Sequence, residues 1–332
     1  MEHRHRGRQF FIRIRGGDLR PCRRLEKMDA VAASGIVKKF GDLTVLHGLD
    51  LAIPRGELFA LLGPNGSGKT TFFRILTTLI APDAGSAVVG GQDAVGDPAA
   101  VRAKIGVVFQ SPSLDKKLTV RENLAYGGAL YGMHGSPLAA RIAELSGALR
   151  LEDKMDRLVE TLSGGQQRRV EIAKCLLARP EILLLDEPST GLDPAARMDL
   201  WSLVASLRAT HGMTVIFTSH LMDESARADR VGIMSDGRLV RVDTPAALLA
   251  EAGPEILRVA TVDAMRVSEF LKSQCGLAPH ALEGEVRASA SGAHAVCVRL
   301  TAALPDAVGS TTVSKPTLED VFLFQTGKRL NE

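Results

Sequence analysis

Eight residues constrain this chain more than any others: Gly63-Pro64-Asn65-Gly66-Ser67-Gly68-Lys69-Thr70. They satisfy the spacing G-x-x-x-x-G-K-[ST], between a continuous apolar run, Leu58–Leu62, and a stretch of helical character, Thr71–Ile80. A strand buried on both faces, a glycine-rich loop and a helix N-terminus, in that order, form a cradle for phosphates. The glycines let backbone N–H groups converge on the anion, and the helix end adds its dipole. Lys69 is placed to reach the β- and γ-phosphates, and the Thr70 hydroxyl to ligate Mg2+. Four further apolar or alternating runs, Ile105–Phe109, Ile182–Leu185, Thr214–Thr218 and Val231–Ser235, read as strands. Strands alternating with helices over residues 31–245 predict a mostly parallel α/β core.

The remaining punctuation divides the chain. Residues 31–60 are strand-like, with turns at Gly41-Asp42 and Pro54-Arg55-Gly56. Thr119-Val120-Arg121-Glu122 is a capping box opening a helix, and helical sequence continues to about Val159. A helix after Leu162-Ser163-Gly164-Gly165-Gln166 runs through Ala178 and is stopped by Pro180. Asp236-Gly237 between Val231–Ser235 and Arg238–Val242 predicts a tight hairpin. After a short helix from Thr244-Pro245 to near Gly253-Pro254, the composition shifts. Residues 255–332 read as a small α+β appendix, with strands at 256–261, 284–288 and 295–300 and helices at 264–272 and 317–326. The predicted organisation is a leader (1–27), an α/β domain carrying the phosphate motif (28–245) with a mostly helical stretch at about 111–165, and the appendix (246–332).

With 45% hydrophobic and 24% charged residues, the chain can bury a sizeable core. Residues 1–27 carry nine Lys/Arg against three acids, a net +6, which leaves residues 28–332 at −3. The body therefore offers no global charge to attract nucleic acid. The Arg-rich leader is either a basic arm for anionic lipid or targeting, or a disordered or mis-assigned start with Met28 as initiator; the second reading is preferred. No apolar run approaches the 18–20 or so residues of a membrane span, and no apolar segment follows the basic start as a signal peptide requires. Cys22, Cys175, Cys275 and Cys297 lack metal-ligand or C-x-x-C spacing, which fits a reduced cytosolic compartment.

Ile182-Leu183-Leu184-Leu185-Asp186-Glu187 supplies the second half of a phosphate site. A buried strand ending in a carboxylate places Asp186 where Mg2+ is held, and Glu187, one residue on, can polarise a water in line with the γ-phosphate. Before that strand, Leu162-Ser163-Gly164-Gly165-Gln166 resembles the signature of the ATP-binding-cassette ATPases. Gln110 matches the family's Q-loop, Ser189-Thr190-Gly191-Leu192-Asp193 its D-loop and His220 its switch histidine. Phe40, 29 residues before Lys69, stands where the family has an adenine-stacking aromatic, more often Tyr. These elements follow one another in family order over about residues 31–245.

The resemblance implies a P-loop NTPase cassette. Its mostly parallel core sheet carries an N-terminal antiparallel β subdomain and a helical signature subdomain, with the α+β appendix added. It implies an ATPase using ATP and Mg2+. The ATP site would comprise Phe40 and Gly63, Pro64, Asn65, Gly66, Ser67, Gly68, Lys69, Thr70 and Thr71. Lys69, Gln110, Glu187 and His220 would be the catalytic set, and Thr70, Gln110 and Asp186 would attend the metal. Leu162, Ser163, Gly164, Gly165, Gln166 and the D-loop Asp193 would act across a head-to-tail dimer, in which the signature helix of one protomer caps the γ-phosphate bound by the other. Ser111–Asp115, Asp186–Pro194 and Thr317-Leu318-Glu319-Asp320-Val321-Phe322 further resemble the ATPase subunits of type 2 exporters, the daunorubicin-resistance-like group of multidrug translocases. That implies a second cassette, a homodimer by preference, and a separate multi-span permease docking near Gln110–Tyr131, with the chain held peripherally at the cytoplasmic face of the cell membrane.

Tyr126 and Tyr131 in that segment read equally as a docking patch or as core. In the appendix, the segment before Ser310, interrupted by Pro305, departs from the full helix that the group often has. Two other functions compete with transport. A nucleic-acid-acting cassette would insert a long coiled coil, but only 93 residues separate Lys69 from Ser163. A ribosome-acting factor would carry two cassettes, and only one phosphate loop and one signature occur.

Overall fold

The computed structural model describes residues 11–13, 19–21 and 29–329. The reading of residues 1–27 as a leader lies outside the described residues, apart from two short strands, Phe11–Arg13 and Leu19–Pro21, which pair antiparallel. The described residues form two compact units, those up to 59 with 68–218 and residues 60–67 with those from 219 to 329. The boundary falls within the strand Leu58–Leu62, whose five residues are all buried.

In the first unit, two twelve-residue strands, Asp29–Phe40 and Leu43–Pro54, pair antiparallel around the Gly41-Asp42 turn, and Ala84–Val89 adds to the other side of the first. The register slips between Ala33 and Ile36, where Gly35 takes φ +59° and its N–H is caught by Asp50 at 2.7 Å. A one-residue irregularity of this kind bends and twists the ribbon. Ile105–Val108, Ile182–Asp186 and Thr214–Ser219 are parallel neighbours, with Ile182 opposite both Ile105 and Thr214. All eleven residues of the last two strands are buried, as expected of a parallel sheet covered on both faces. The alternation of apolar strand, polar strand end and helix places Asp186 and Thr218 side by side at the C-terminal edge.

The helix after the phosphate loop is shorter than the predicted 71–80 stretch. It spans Lys69–Leu76, and Thr78 turns left-handed at φ +62°. Val120–Leu130 opens on the predicted box: Thr119 N–H donates to Glu122 at 2.7 Å and Glu122 N–H to the Thr119 hydroxyl at 3.2 Å. Gly135–Ala148 follows, and Gly164–Leu176 opens on a second box made by Ser163 and Gln166. The chain's single tryptophan, Trp201 on Pro194–His211, packs on Phe217 with ring centroids 4.4 Å apart.

In the second unit, Arg230–Ser235 and Arg238–Asp243 form the predicted hairpin, with Asp236 and Gly237 at φ +48° and +70° as a two-residue hairpin turn demands. Four antiparallel strands follow in the order His280–Leu282, Glu285–Ser289, Ile256–Thr261, Val308–Ser314. One face of this sheet (Leu257, Val259, Val286, Ala288) packs on helices Ala264–Cys275 and Ala293–Ala303 through Val267, Leu271 and Leu300. From the opposite face Arg258 and Arg287, which are cross-strand partners, reach Asp320 at the start of the last helix, Leu318–Thr326. Two expectations for the appendix fail here. Residues 295–300 are helical, not a strand, so a full helix does precede Pro305. The strand Val308–Ser314 comes after it and was not foreseen.

Candidate functional site

In the second unit, residues 63–67 of the glycine-rich loop are held by backbone contacts that only glycine permits. A Cβ at Gly63 would lie 2.4 Å from the Met234 carbonyl oxygen and 2.7 Å from Ser67 Oγ. Gly66 takes φ +79°, Ser67 N–H donates to the Pro64 carbonyl at 3.3 Å, and Gly237 N–H donates to the Ser67 carbonyl at 3.0 Å. The turn of the hairpin therefore buttresses the loop. Asn65 and Gly66 are exposed at its tip, whereas Ser67 is buried and its hydroxyl has no hydrogen-bond partner within the protein. The same unit holds His220, half-buried just after Ser219. Ser219 anchors that turn by donating to Glu224 at 2.9 Å and accepting from Leu221 N–H at 2.9 Å. After the last helix, Lys328 grips Asp236 through both carboxylate oxygens at 2.9 and 2.8 Å.

In the first unit, Gly68 caps the Lys69–Leu76 helix at φ +98°, a left-handed conformation that glycine adopts without strain. Thr70 and Thr71 are half-buried on its first turn. Lys69 is buried, and burial pulls its ammonium below the ordinary lysine value against the opposing pull of Glu187 and then Asp186. Burial also pushes the Asp186 carboxyl above the ordinary aspartate range. A hydrogen bond from Thr218 opposes this, Glu187 adds to it, and Lys69 opposes it. Lys69, Asp186 and Glu187 are thus one electrostatic group.

Sequence reasoning missed the groups that organise this cluster. The Thr218 hydroxyl donates to Asp186 Oδ1 at 2.5 Å and accepts from Glu187 N–H at 2.9 Å. Glu187 Oε2 accepts from Thr190 Oγ1 at 3.2 Å and from Gln110 Nε2 at 3.4 Å, so Gln110 and the D-loop threonine meet on the same carboxylate. Phe40 lies at the end of its strand, half-exposed, with Lys38 Nζ 5.6 Å from its ring centroid.

The signature residues form an exposed turn that opens the Gly164–Leu176 helix. Leu162 is buried beneath Ser163 and Gly164, which face solvent. Ser163 Oγ accepts from Gln166 N–H at 3.4 Å, and Gln166 Oε1 accepts from Ser163 N–H at 3.1 Å. Gln167 braces the approach by donating to the Leu162 and Val159 carbonyls. The D-loop packs against this turn: Leu192 lies 3.4 Å from a Gly164 Cβ position and Ala196 only 2.9 Å from one at Gly165. Asp193 caps Pro194–His211 by accepting from Ala196 N–H at 2.9 Å.

The segment after Gln110 is strapped to the signature helix. Arg168 donates to the Phe109 carbonyl and to Glu171, and Glu171 accepts from Ser113 N–H at 2.8 Å. Both charges are buried, and the cost of such a pair is offset here by the bonds each makes beyond the pair, Arg168 to the Phe109 carbonyl and Glu171 from Ser113 N–H. A hydrophobicity pattern carries no sign of this strap, because Arg168 and Glu171 look like ordinary surface charges. Tyr126 and Tyr131 are 63% and 49% exposed and Leu130 more so, which removes the core-packing reading of the tyrosines.

The sequence pattern of the ABC transporter family matches residues 46–190. The daunorubicin/doxorubicin resistance ATP-binding protein DrrA of Streptomyces peucetius is 37% identical over 308 residues, covering 90% of this chain and 92% of that protein. The Nod factor export ATP-binding protein I of Paraburkholderia xenovorans is 36% identical over 307 residues, covering 91% and 99%. Among solved structures, cbiO1 from Clostridium perfringens, part of an ABC transporter complex, superposes with a TM-score of 0.63 at 28% identity, over 68% of this chain and 92% of that one. An ATP-binding cassette of an ABC transporter in its ADP conformation gives 0.60 at 28% identity, over 65% and 91%.

Proposed function

The chain belongs to the ABC transporter family as the ATP-binding, ATP-hydrolysing subunit of an export complex, and on that premise we propose how its residues carry the work. Residues 28–245 form the ATPase domain and 246–332 an appendix to it. The loop Gly63–Thr71 receives the phosphates of ATP, with Lys69 balancing their charge, and Phe40 stacks on the adenine. The orphaned Ser67 hydroxyl supports this reading, since a buried hydroxyl without a partner is costly unless a ligand supplies one.

The donors fit magnesium. Thr70, Gln110 and Asp186 offer hydroxyl, amide and carboxylate oxygens, which suit a small hard cation that keeps its waters and takes few protein ligands beside phosphate. The carboxyl of Asp186, raised by burial, gains from such a charge. When bound, the ion neutralises charge on the phosphate oxygens.

Glu187 is the general base. Its carboxylate is held by Gln110 and Thr190 and aimed by a fixed main chain, and this arrangement is the observation that carries the proposal. It accepts the proton of the attacking water, while His220 answers the state of the γ-phosphate. Leu162–Gln166 and Asp193 act on the nucleotide of a second cassette, in keeping with the exposure of Ser163 and Gly164. ATP then favours the closed pair because it makes contacts there that ADP cannot make. No helix among the described residues is long and apolar enough to cross a membrane. We assign transport to a multi-span permease that docks on the exposed Tyr126–Tyr131 face and holds the chain at the cytoplasmic side of the membrane.

Glu187→Gln tests the reading. It should bind ATP with wild-type affinity, lose at least about 100-fold in turnover as expected for loss of a general base, and accumulate as a closed dimer. Membranes solubilised with ATP should release it together with one multi-span protein in comparable amount. Wild-type turnover would remove Glu187 from the role, and release without a membrane protein would remove the docking assignment.

A further inference from the structure

Thr218 is completely buried, the one hydroxyl among Val215, Ile216, Phe217 and Thr218 in a strand otherwise filled by apolar side chains at these positions. A buried hydroxyl is retained at a cost unless its bonds are made, and here they are made in a way that leaves no freedom. The group has one proton. It goes to Asp186 Oδ1 at 2.5 Å, so the hydroxyl oxygen must accept the second bond, from Glu187 N–H at 2.9 Å. One side chain thus ties a carboxylate and the peptide of the next residue to the neighbouring strand.

Glu187 needs such a tie. Its φ is +46°, a left-handed conformation that side-chain-bearing residues hold only where the surroundings over-determine it. Without an anchor at its N–H the residue relaxes toward ordinary backbone, and rotation about the Glu187 main chain swings the carboxylate. The other end is already held, with Thr190 Oγ1 at 3.2 Å and Gln110 Nε2 at 3.4 Å from Oε2. Both ends together define one position for the carboxylate, and proton transfer in a transition state depends on that position to within fractions of an ångström.

We propose that Thr218 is a positioning residue for ATP hydrolysis, its hydroxyl fixing the left-handed main chain at Glu187 and so aiming the carboxylate at the attacking water. The proposal rests on the reading of Glu187 as the base. The Thr218 side chain is completely buried, with its hydroxyl committed to Asp186 and the Glu187 main chain. It acts through Glu187, and its loss should be felt in the chemical step and not in ATP binding.

The test compares Thr218→Val, Thr218→Ser and Glu187→Gln in the full-length purified chain. ATP binding is measured with a fluorescent nucleotide, KM and kcat by phosphate release, and thermal stability alongside. Thr218→Val should lower kcat tenfold or more, with KM and nucleotide affinity within threefold of wild type. Thr218→Ser, which keeps the hydroxyl, should restore kcat to within threefold. A Thr218→Val kcat within twofold of wild type, with Glu187→Gln still losing 100-fold, overturns the role of Thr218 and leaves the base assignment standing. Wild-type turnover by Glu187→Gln overturns the base assignment instead. A fall in kcat matched by an equal loss of nucleotide affinity, or one that serine does not rescue, also overturns the proposal, because it marks general damage to the site. Should Thr218→Val fail to fold, Thr218→Ala carries the same comparison.

Discussion

Asp320 is the charge on which the last helix turns, and replacing it with alanine has a cost that the geometry sets. Its side chain is completely buried. It accepts from Thr317 N–H at 3.0 Å, Thr317 Oγ1 at 2.7 Å, Arg258 at 3.1 Å and Arg287 at 3.1 Å. Removing one partner of a buried ion pair costs about 3–5 kcal/mol, mostly from the charge left behind. Arg287 keeps Glu285 at 2.8 Å and Glu319 at 3.2 Å, and Arg258 is partly in water, so the loss belongs at the low end, about 3 kcal/mol. At about 1.4 kcal/mol per decade this is roughly a 100-fold rise in opening of Leu318–Thr326. Tryptophan fluorescence would miss it, because the only tryptophan, Trp201, is in the first unit. Amide hydrogen exchange resolved to the last helix is the suitable assay. Asp320→Asn, which keeps an acceptor for Thr317, should fall between wild type and alanine. Exchange in Asp320→Ala within threefold of wild type would refute the idea that this ion cluster holds the helix to the sheet.

Three shorter predictions follow from other contacts. Gly165→Ala gains up to about 1 kcal/mol of helix propensity but brings a Cβ to 2.9 Å from Ala196; overpacking of about 1–3 kcal/mol should win, so a raised melting temperature would contradict the packing described. The Cys175 thiol is pushed up to about 12 by burial, so mass spectrometry after alkylation of the folded chain near pH 8 should find it unlabelled while Cys275 and Cys297, which are partly exposed, react. His280, stacked on Phe324 at 4.8 Å, is held below the ordinary imidazole value by burial. The unfolded chain therefore binds that proton more tightly, and the contribution of His280 to stability is complete above the ordinary value and lost as pH falls through the folded value. Between pH 7.5 and 5.5 the wild-type appendix should lose more stability than His280→Phe, and equal losses would refute the assignment.

Most of the local structure was written in short-range chemistry. Thr119 with Glu122 and Asp236-Gly237 act within four residues, so a linear string contains everything they need. The appendix shows where this stops. Val296, Val298 and Leu300 alternate as a strand would, but only Leu300 among them is buried, and Val298 is 72% exposed on a helix begun by left-handed Gly292. The alternation was a coincidence of sequence that tertiary context overrode. The nucleotide-binding candidates lay in motifs and could be named in advance. Thr218, Arg168 and Glu171 could not, because each matters through a partner 31 to 59 residues away in sequence or one reached only by folding.

The bond between Gly237 N–H and the Ser67 carbonyl, together with the hold of Lys328 on Asp236, sets an order of events during synthesis. The phosphate loop leaves the ribosome early, but the turn that buttresses it is made 170 residues later and the lysine that grips that turn 261 residues later. At about 5–20 residues per second, the loop waits on the order of ten seconds or more for its support. A nascent chain thus carries the glycine-rich motif long before the turn and the lysine that brace it have been made.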